Sequence, residues 1–322
     1  MRPTAKALFV FAAIFCPGWG FFGHESINRL AVFTLPPEMI GFYKRNLDYI
    51  VTASVNPDRR RYAVKEEAPR HYIDLDSFGD SAAYSLPKYW SAAVDSLGED
   101  TLHAHGIVPW YIPTVVRRLQ EAFFVNDPEK ILRWSAELGH YVADANVPLH
   151  TTRNHNGQLT GQHGIHGFWE SRLVELFSAD YNFFVGKAVY VDDIQERAWN
   201  AVRQAHRAVD SVLSIERILA INHSNVKYNY ESRGNQTLRV YSLDYSRKYH
   251  ERLNGMVERQ MRASVKMLGD LWYTAWVDAG QPDLRRLINY RPTEEEIRMR
   301  KAEWESWRQQ LYSSREHEGS SN

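Results

Sequence analysis

Apolar residues recur at helical intervals along most of this chain. Ile27, Leu30 and Ala31 share one face, and Met39, Ile40, Tyr43, Leu47 and Ile50 predict a second helix over 37 to about 50, opened by Pro37. The same periodicity predicts helices over 108–125, opening near Pro109, and over 129–145, with Ile131, Leu132, Trp134, Ser135, Leu138 and Val142 on the buried side. Residues 168–184 continue a helical pattern. Longer stripes run through 193–221 (Ile194, Ala198, Val202, Ala205, Val209, Val212, Ile215, Leu219) and 246–278 (Leu253, Val257, Met261, Val265, Leu268, Trp272, Trp276). Met and aromatic residues at this spacing are core. Residues 77–106 are turn-rich, with Gly79, Pro87, Gly98 and Gly106, and His103 and His105 read as loop histidines. The polar stretch 225–242 reads as a loop or a short hairpin. From Thr293 onward a highly charged helix is predicted, with Trp304 and Trp307 available to dock on the body and His317 in a flexible tail. Neither sustained period-two alternation nor an internal repeat occurs, so the expected fold is all-α, a single multi-helix domain.

Composition narrows this further. The 322 residues include 10 Trp and 18 Tyr, ample for a sizeable core. Lys plus Arg equals Asp plus Glu at 39 each, and without residues 1–18, which carry Arg2 and Lys6, the balance is 37 to 39, a net of −2. Such a chain has no field to coat nucleic acid or gather on an anionic membrane, so any polyanion binding must be local. Residues 1–18 combine a basic start, an apolar run and small residues near Gly18, the pattern of a signal peptide for export, to the periplasm or outside the cell. The single cysteine, Cys16, lies within it. Cleavage after Gly18 is preferred over acylation at Cys16, because Phe15 poorly fits the small residue expected before a lipid-bearing cysteine. The mature chain would then have no thiol. It would comprise a domain over 19–290 and a charged helical extension over 291–322.

Candidate chemistry concentrates between residues 140 and 170. His140 and Asp144, four apart, share a helix face, and so do His166 and Glu170. Pro148 ends or kinks the first helix, His150 follows, and a polar loop over 151–164 separates the pairs. Imidazole with carboxylate and no thiolate suits zinc or another first-row metal. Upstream, His24 opens the first helix, while Asp58 and His71 are candidate ligands in irregular backbone. Arg59, Arg60 and Arg61 form a basic cluster that either offers a fork to a phosphate or forms a solvated salt-bridge patch with Glu66 and Glu67. A Trp19 freed by cleavage would offer its amine and carbonyl as a chelate. No Gly-rich phosphate loop and no nucleophile elbow is present.

Taken in order, Trp19, His24, Asp58, His71, His140, Asp144, His150, His166 and Glu170 resemble the ligand signature of the bacterial zinc-dependent phospholipases C and the single-strand-specific zinc nucleases. The resemblance spans residues 19 to about 185. It implies three zinc ions (Zn2+) per chain. Asp58, His71, His140 and Asp144 would hold one; the Trp19 amine and carbonyl, His24 and a bridging Asp144 a second; His150, His166 and Glu170 the third. It further implies a phosphoric ester hydrolase in which a metal-bridging hydroxide attacks phosphorus in line, Asp58 accepts the water's proton and Arg61 adds charge to the phosphate site.

The substrate is divided between the two branches. The short spacing from Trp19 to His24, Arg61 after Asp58, and Tyr72 with Asp74 after His71 are similar to the nucleases, in which the aromatic and acidic positions stack on and hydrogen-bond a base. Phe22, Arg59 and Ala68 depart from the choline-recognising pattern of the phospholipases, and a cation stands where a quaternary ammonium needs an aromatic, negative cage. Glu170 in place of Asp, and the lack of disulfides, point the other way. Nuclease activity on single-stranded nucleic acid or nucleotides is therefore expected ahead of phospholipase C activity on phospholipid headgroups. The alternative of another class is a non-catalytic metal-binding helical scaffold with a blocked Trp19. No obligate protein partner and no transmembrane segment in the mature chain are evident from the sequence.

Overall fold

Pro128–Ala145 is the axis on which the other helices lean. Asp127 caps it by accepting from the Lys130 amide at 3.0 Å, and Pro128 supplies the preset first turn. Its second half, from Ser135 onward, is buried on every side. Phe21–Ala31, Leu47–Thr52, Val108–Phe124, Ile194–His206 and Met256–Asp278 pack around it. The computed structural model describes residues 21–233 and 236–312; Trp19, Cys16, His317 and the leader proposed over 1–18 lie outside them. The described part is mostly helical, with one antiparallel hairpin, and none of its helices is long and apolar enough to cross a membrane.

Two close approaches fix how the helices meet. Gly139 leaves a notch into which Asn28 fits; a Cβ there would stand 1.7 Å from the Asn28 Oδ1. From that notch the Asn28 amide donates to the Ile50 and Ala136 carbonyls, both at 3.0 Å, tying three helices together. Pro113 sits inside Val108–Phe124 and cannot donate to the Pro109 carbonyl. Gln195 donates to that carbonyl instead, at 2.8 Å, so the helix runs on.

Several predicted helices divide where local chemistry competes with the apolar stripe. The helix expected over 37 to about 50 breaks at Asn46, whose side chain donates to the Phe42 carbonyl at 2.9 Å, giving Pro37–Arg45 and Leu47–Thr52. The stripe over 193–221 is two helices, Ile194–His206 and Val209–His223. That over 246–278 parts at Asn254 and Gly255, both at positive φ, into Leu243–Arg252 and Met256–Asp278. The helix expected through 184 ends at Asp180. Beyond it an extended strap crosses Met256–Asp278, with Val189 and Val191 amides donating to the Asp270 and Thr274 side chains at 2.8 and 3.0 Å. Residues 77–106, expected as turns, contain Ala82–Ser85, Trp90–Leu97 and Glu99–His105, so His103 and His105 are helical. The polar stretch 225–242 folds as the hairpin Tyr228–Arg233 with Gln236–Tyr241. Thr293 and Glu296 form a capping box for the charged helix Glu294–Trp307.

Candidate metal centre

The central helix delivers His140 and Asp144 side by side, both inaccessible to solvent. The chain then turns through Pro148–Thr151, which brings His150 back over the helix end. Asp58, expected in irregular backbone, lies on the short helix Asn56–Arg60, and His71 closes the tight turn Ala68–His71. His166 and Glu170 face inward from Ile165–Gly167 and the wide π turn Phe168–Arg172, a form that recurs at functional sites. His24 reaches the same point from Phe21–Ala31, its ring stacked on that of His140 at 4.0 Å between centroids. Side chains from six separate segments thus converge.

Their donor atoms have the spacing of a coordination polyhedron. Four ligands at 2.0–2.1 Å from a tetrahedral ion stand roughly 3.3 Å apart along each edge. In the first group, His71 Nδ1 lies 2.9 Å from Asp144 Oδ2 and 3.0 Å from His140 Nε2, and His140 Nε2 lies 3.3 Å from Asp144 Oδ2. Asp58 Oδ1 completes it at 3.7 Å from His71 and 3.5 Å from His140. In the second, His150 Nε2, His166 Nε2 and Glu170 Oε2 are separated by 3.1, 3.2 and 2.9 Å. Between the two, His24 Nε2 lies 3.6 Å from Asp144 Oδ1 and 3.5 Å from Glu170 Oε1. Asp144 therefore faces two neighbours with different oxygens, as expected of a bridging carboxylate. Glu170 does so too, which the sequence did not reveal.

The electrostatics favour cations. Burial pushes the His71 imidazole down to about 3, against the pull of Glu67, and burial together with His24 lowers His140. Neutral imidazoles keep a lone pair for a ligand. Burial opposes ionisation of Glu170, but the adjacent His150 and the hydrogen bonds from His150 and His166 hold its carboxyl well below the usual range. Both ring nitrogens of His24 are buried without a hydrogen-bond partner among the described residues, an arrangement that is costly unless something else binds there. These buried groups could hold metal ions.

A second layer orients the ligands. His150 Nδ1 donates to the His71 carbonyl at 2.6 Å, which aims its Nε2 lone pair at the cluster. The outer nitrogen of His71 faces Glu67 at 3.5 Å. Glu67 is held by Arg60 at 2.7 Å, by Arg70 at 2.8 Å and by the Tyr141 hydroxyl. Arg60 also grips Glu137 with two parallel bonds of 2.7 Å. The arginine cluster is thus not a solvated patch: Arg60 is buried in this network, Arg61 is buried with its Nη1 3.2 Å from Asp58, and Arg59 is half-buried over Phe21. Sequence reasoning named Arg60 and Glu67 only as members of a phosphate grip or a solvated salt-bridge patch, and missed Glu137 and Tyr141. The one signal available was Glu137, a charged residue on the buried face of the central helix. Tyr72, in extended backbone, and Asp74, just before the turn Leu75–Ser77, follow His71, are largely buried, and contribute no atom to the donor groups.

No protein-family model matches the chain, and no curated protein matches it.

Proposed function

We propose that this protein is a zinc-dependent phosphoric ester hydrolase, acting on single-stranded nucleic acid or nucleotide phosphoesters. The reading is carried by one observation: buried imidazole and carboxylate atoms at ligand-edge spacing, with Asp144 and Glu170 each spanning two neighbours. Up to three zinc ions fit the donor set, with the Trp19 amine as an added ligand; when bound they supply a water of lowered pKa and positive charge beside the phosphoryl oxygens. The chain's own residues do the rest. Asp58, the most open carboxylate of the first group, takes up the proton the water loses. Arg61, fixed against Asp58 at 3.2 Å, sets a permanent positive charge at the edge of that group, where a phosphate oxygen would gain from it. Tyr72 stacks on a base and Asp74 accepts from its edge. The leader over 1–18 would carry the protein out of the cytoplasm and free Trp19.

The phospholipase C reading rests on Glu170, whose extra methylene reaches from His166 to His24 where the nucleases carry Asp. A panel on zinc-loaded protein separates the readings: single-stranded DNA, RNA, a 3′-nucleotide, phosphatidylcholine and a soluble phosphodiester. Turnover of the nucleic-acid members is expected. Phosphatidylcholine as the preferred substrate would replace the nuclease reading, and tight zinc with no turnover of any member would leave a metal-binding scaffold.

A further inference from the structure

The charged helix Glu294–Trp307 has no fully buried residue, yet one of its faces is ordered against the body. Its partly covered positions are Glu296, Arg300, Glu303 and Trp307, a single stripe at helical spacing, while Ile297, Met299 and Trp304 point to solvent. The helix therefore docks by charge. Arg300 donates to Glu129 at 3.1 Å and lies over Tyr49, and Glu303 takes a two-pronged bond from Arg133 at 2.6 and 3.3 Å. Just beyond the helix, the Leu311 and Tyr312 amides both donate to the Tyr62 carbonyl at 2.9 Å.

Two of these contacts lead inward. Arg133 divides its guanidinium between Glu303 and Glu137, the latter at 3.2 Å. The Trp307 ring lies 5.8 Å from Arg60, the cation that holds both Glu137 and Glu67. Glu67 in turn faces the outer nitrogen of His71. A continuous chain of charge-assisted contacts thus runs from the extension to a ligand of the first donor group. The His150, His166 and Glu170 group is braced apart from these side-chain charges, by the backbone carbonyl of His71 and by the hairpin that grips Arg172.

The geometry points to Glu303 and Trp307 as positioning residues of the metal centre, which keep water from the Arg60–Glu137 pair and so hold His71 to the first donor group only. This rests on the metal reading above. With the cover removed, water raises the local dielectric around the pair and its grip on Glu67 slackens. Loss of an outer partner of a ligating histidine weakens metal binding by about 10–100-fold.

The test uses the full chain with Glu303→Gln and Trp307→Ala together, loaded with zinc and challenged with a chromophoric chelator, the circular dichroism spectrum checking the fold. One class of zinc should leave about tenfold faster than from the unsubstituted protein, the remaining zinc at the unchanged rate, and Trp307→Phe should restore retention. If all zinc leaves at the original rate, or every class is accelerated alike, the proposal is overturned while the metal reading stands. Should the double variant fail to fold, Glu303→Gln alone decides by the same criterion. Unsubstituted protein that takes up no zinc removes the metal reading and this inference with it.

Discussion

At the His71 end of the donor cluster the outer neighbours are the buried charges Glu67, Arg60 and Glu137, with the half-buried Arg133 outside them. At the Glu170 end they are a backbone carbonyl, the stacked rings of Phe168, Tyr241 and Tyr249, and a hairpin held through Arg172 and the half-exposed Glu231. The two kinds of bracing fail differently. A buried ion pair aims its members sharply, but removing one partner strands the other without water. Stacked rings and carbonyl bonds give way in small steps, because each contributes about 1 kcal/mol and none leaves a bare charge behind.

The largest effect should come from the one residue that ignores this division. Asp144→Asn removes a carboxylate shared by the first group and His24, so bound zinc should fall by at least one ion per chain and phosphoesterase turnover by at least about a hundredfold. Elemental analysis and initial rates check this, and full zinc content would break the assignment. Next, Arg60→Met should destabilise by about 3–5 kcal/mol in denaturant unfolding. Arg172→Met at the other end should lose only about 1–2 kcal/mol. Equal losses would abolish the contrast.

Acid should separate the ends more gently. In metal-free protein the His71 imidazole lies at about 3 against an ordinary 6.5. The unfolded chain therefore takes up that proton first, and the contribution of His71 is complete above 6.5 and declines as pH falls towards 3. The slope is about 1.4 kcal/mol per pH unit. Glu170, held below its ordinary 4.5, contributes fully above that value and loses its contribution only beneath it. Denaturation midpoints in chelator should thus begin to fall near 6.5; a midpoint flat until 4.5 would contradict the neutral, buried His71. The smallest effect belongs to Thr293→Ala, which removes the capping box of the terminal helix and should cost that helix about 1 kcal/mol, seen as faster amide exchange over 294–307.

How far the sequence went depends on the range of the forces involved. His140 with Asp144 and His166 with Glu170 were readable because helix pitch alone puts i and i+4 together. The convergence of His24, Asp58 and His71 on them was visible only as a resemblance, since long-range packing leaves no periodic trace. Helix breaks at Asn46 and Asn254 were lost for the opposite reason: a single side-chain or left-handed residue decides them, and a stripe of apolar residues runs across unchanged. The fate of Arg60 was hidden because three adjacent arginines look alike until Glu137, far away in sequence, selects one.

Gly139 carries a consequence for how this chain tolerates change. Helix propensity scores would rank Gly→Ala there as a gain of about 1 kcal/mol, among the mildest edits a stabilisation campaign could choose. Yet the added methyl would collide with Asn28, on the same helix as His24, and prise that helix off its neighbour. The spacing between two imidazoles is thus gauged by a side chain that does not exist, and a lineage that filled the notch would lose the centre without altering a single ligand.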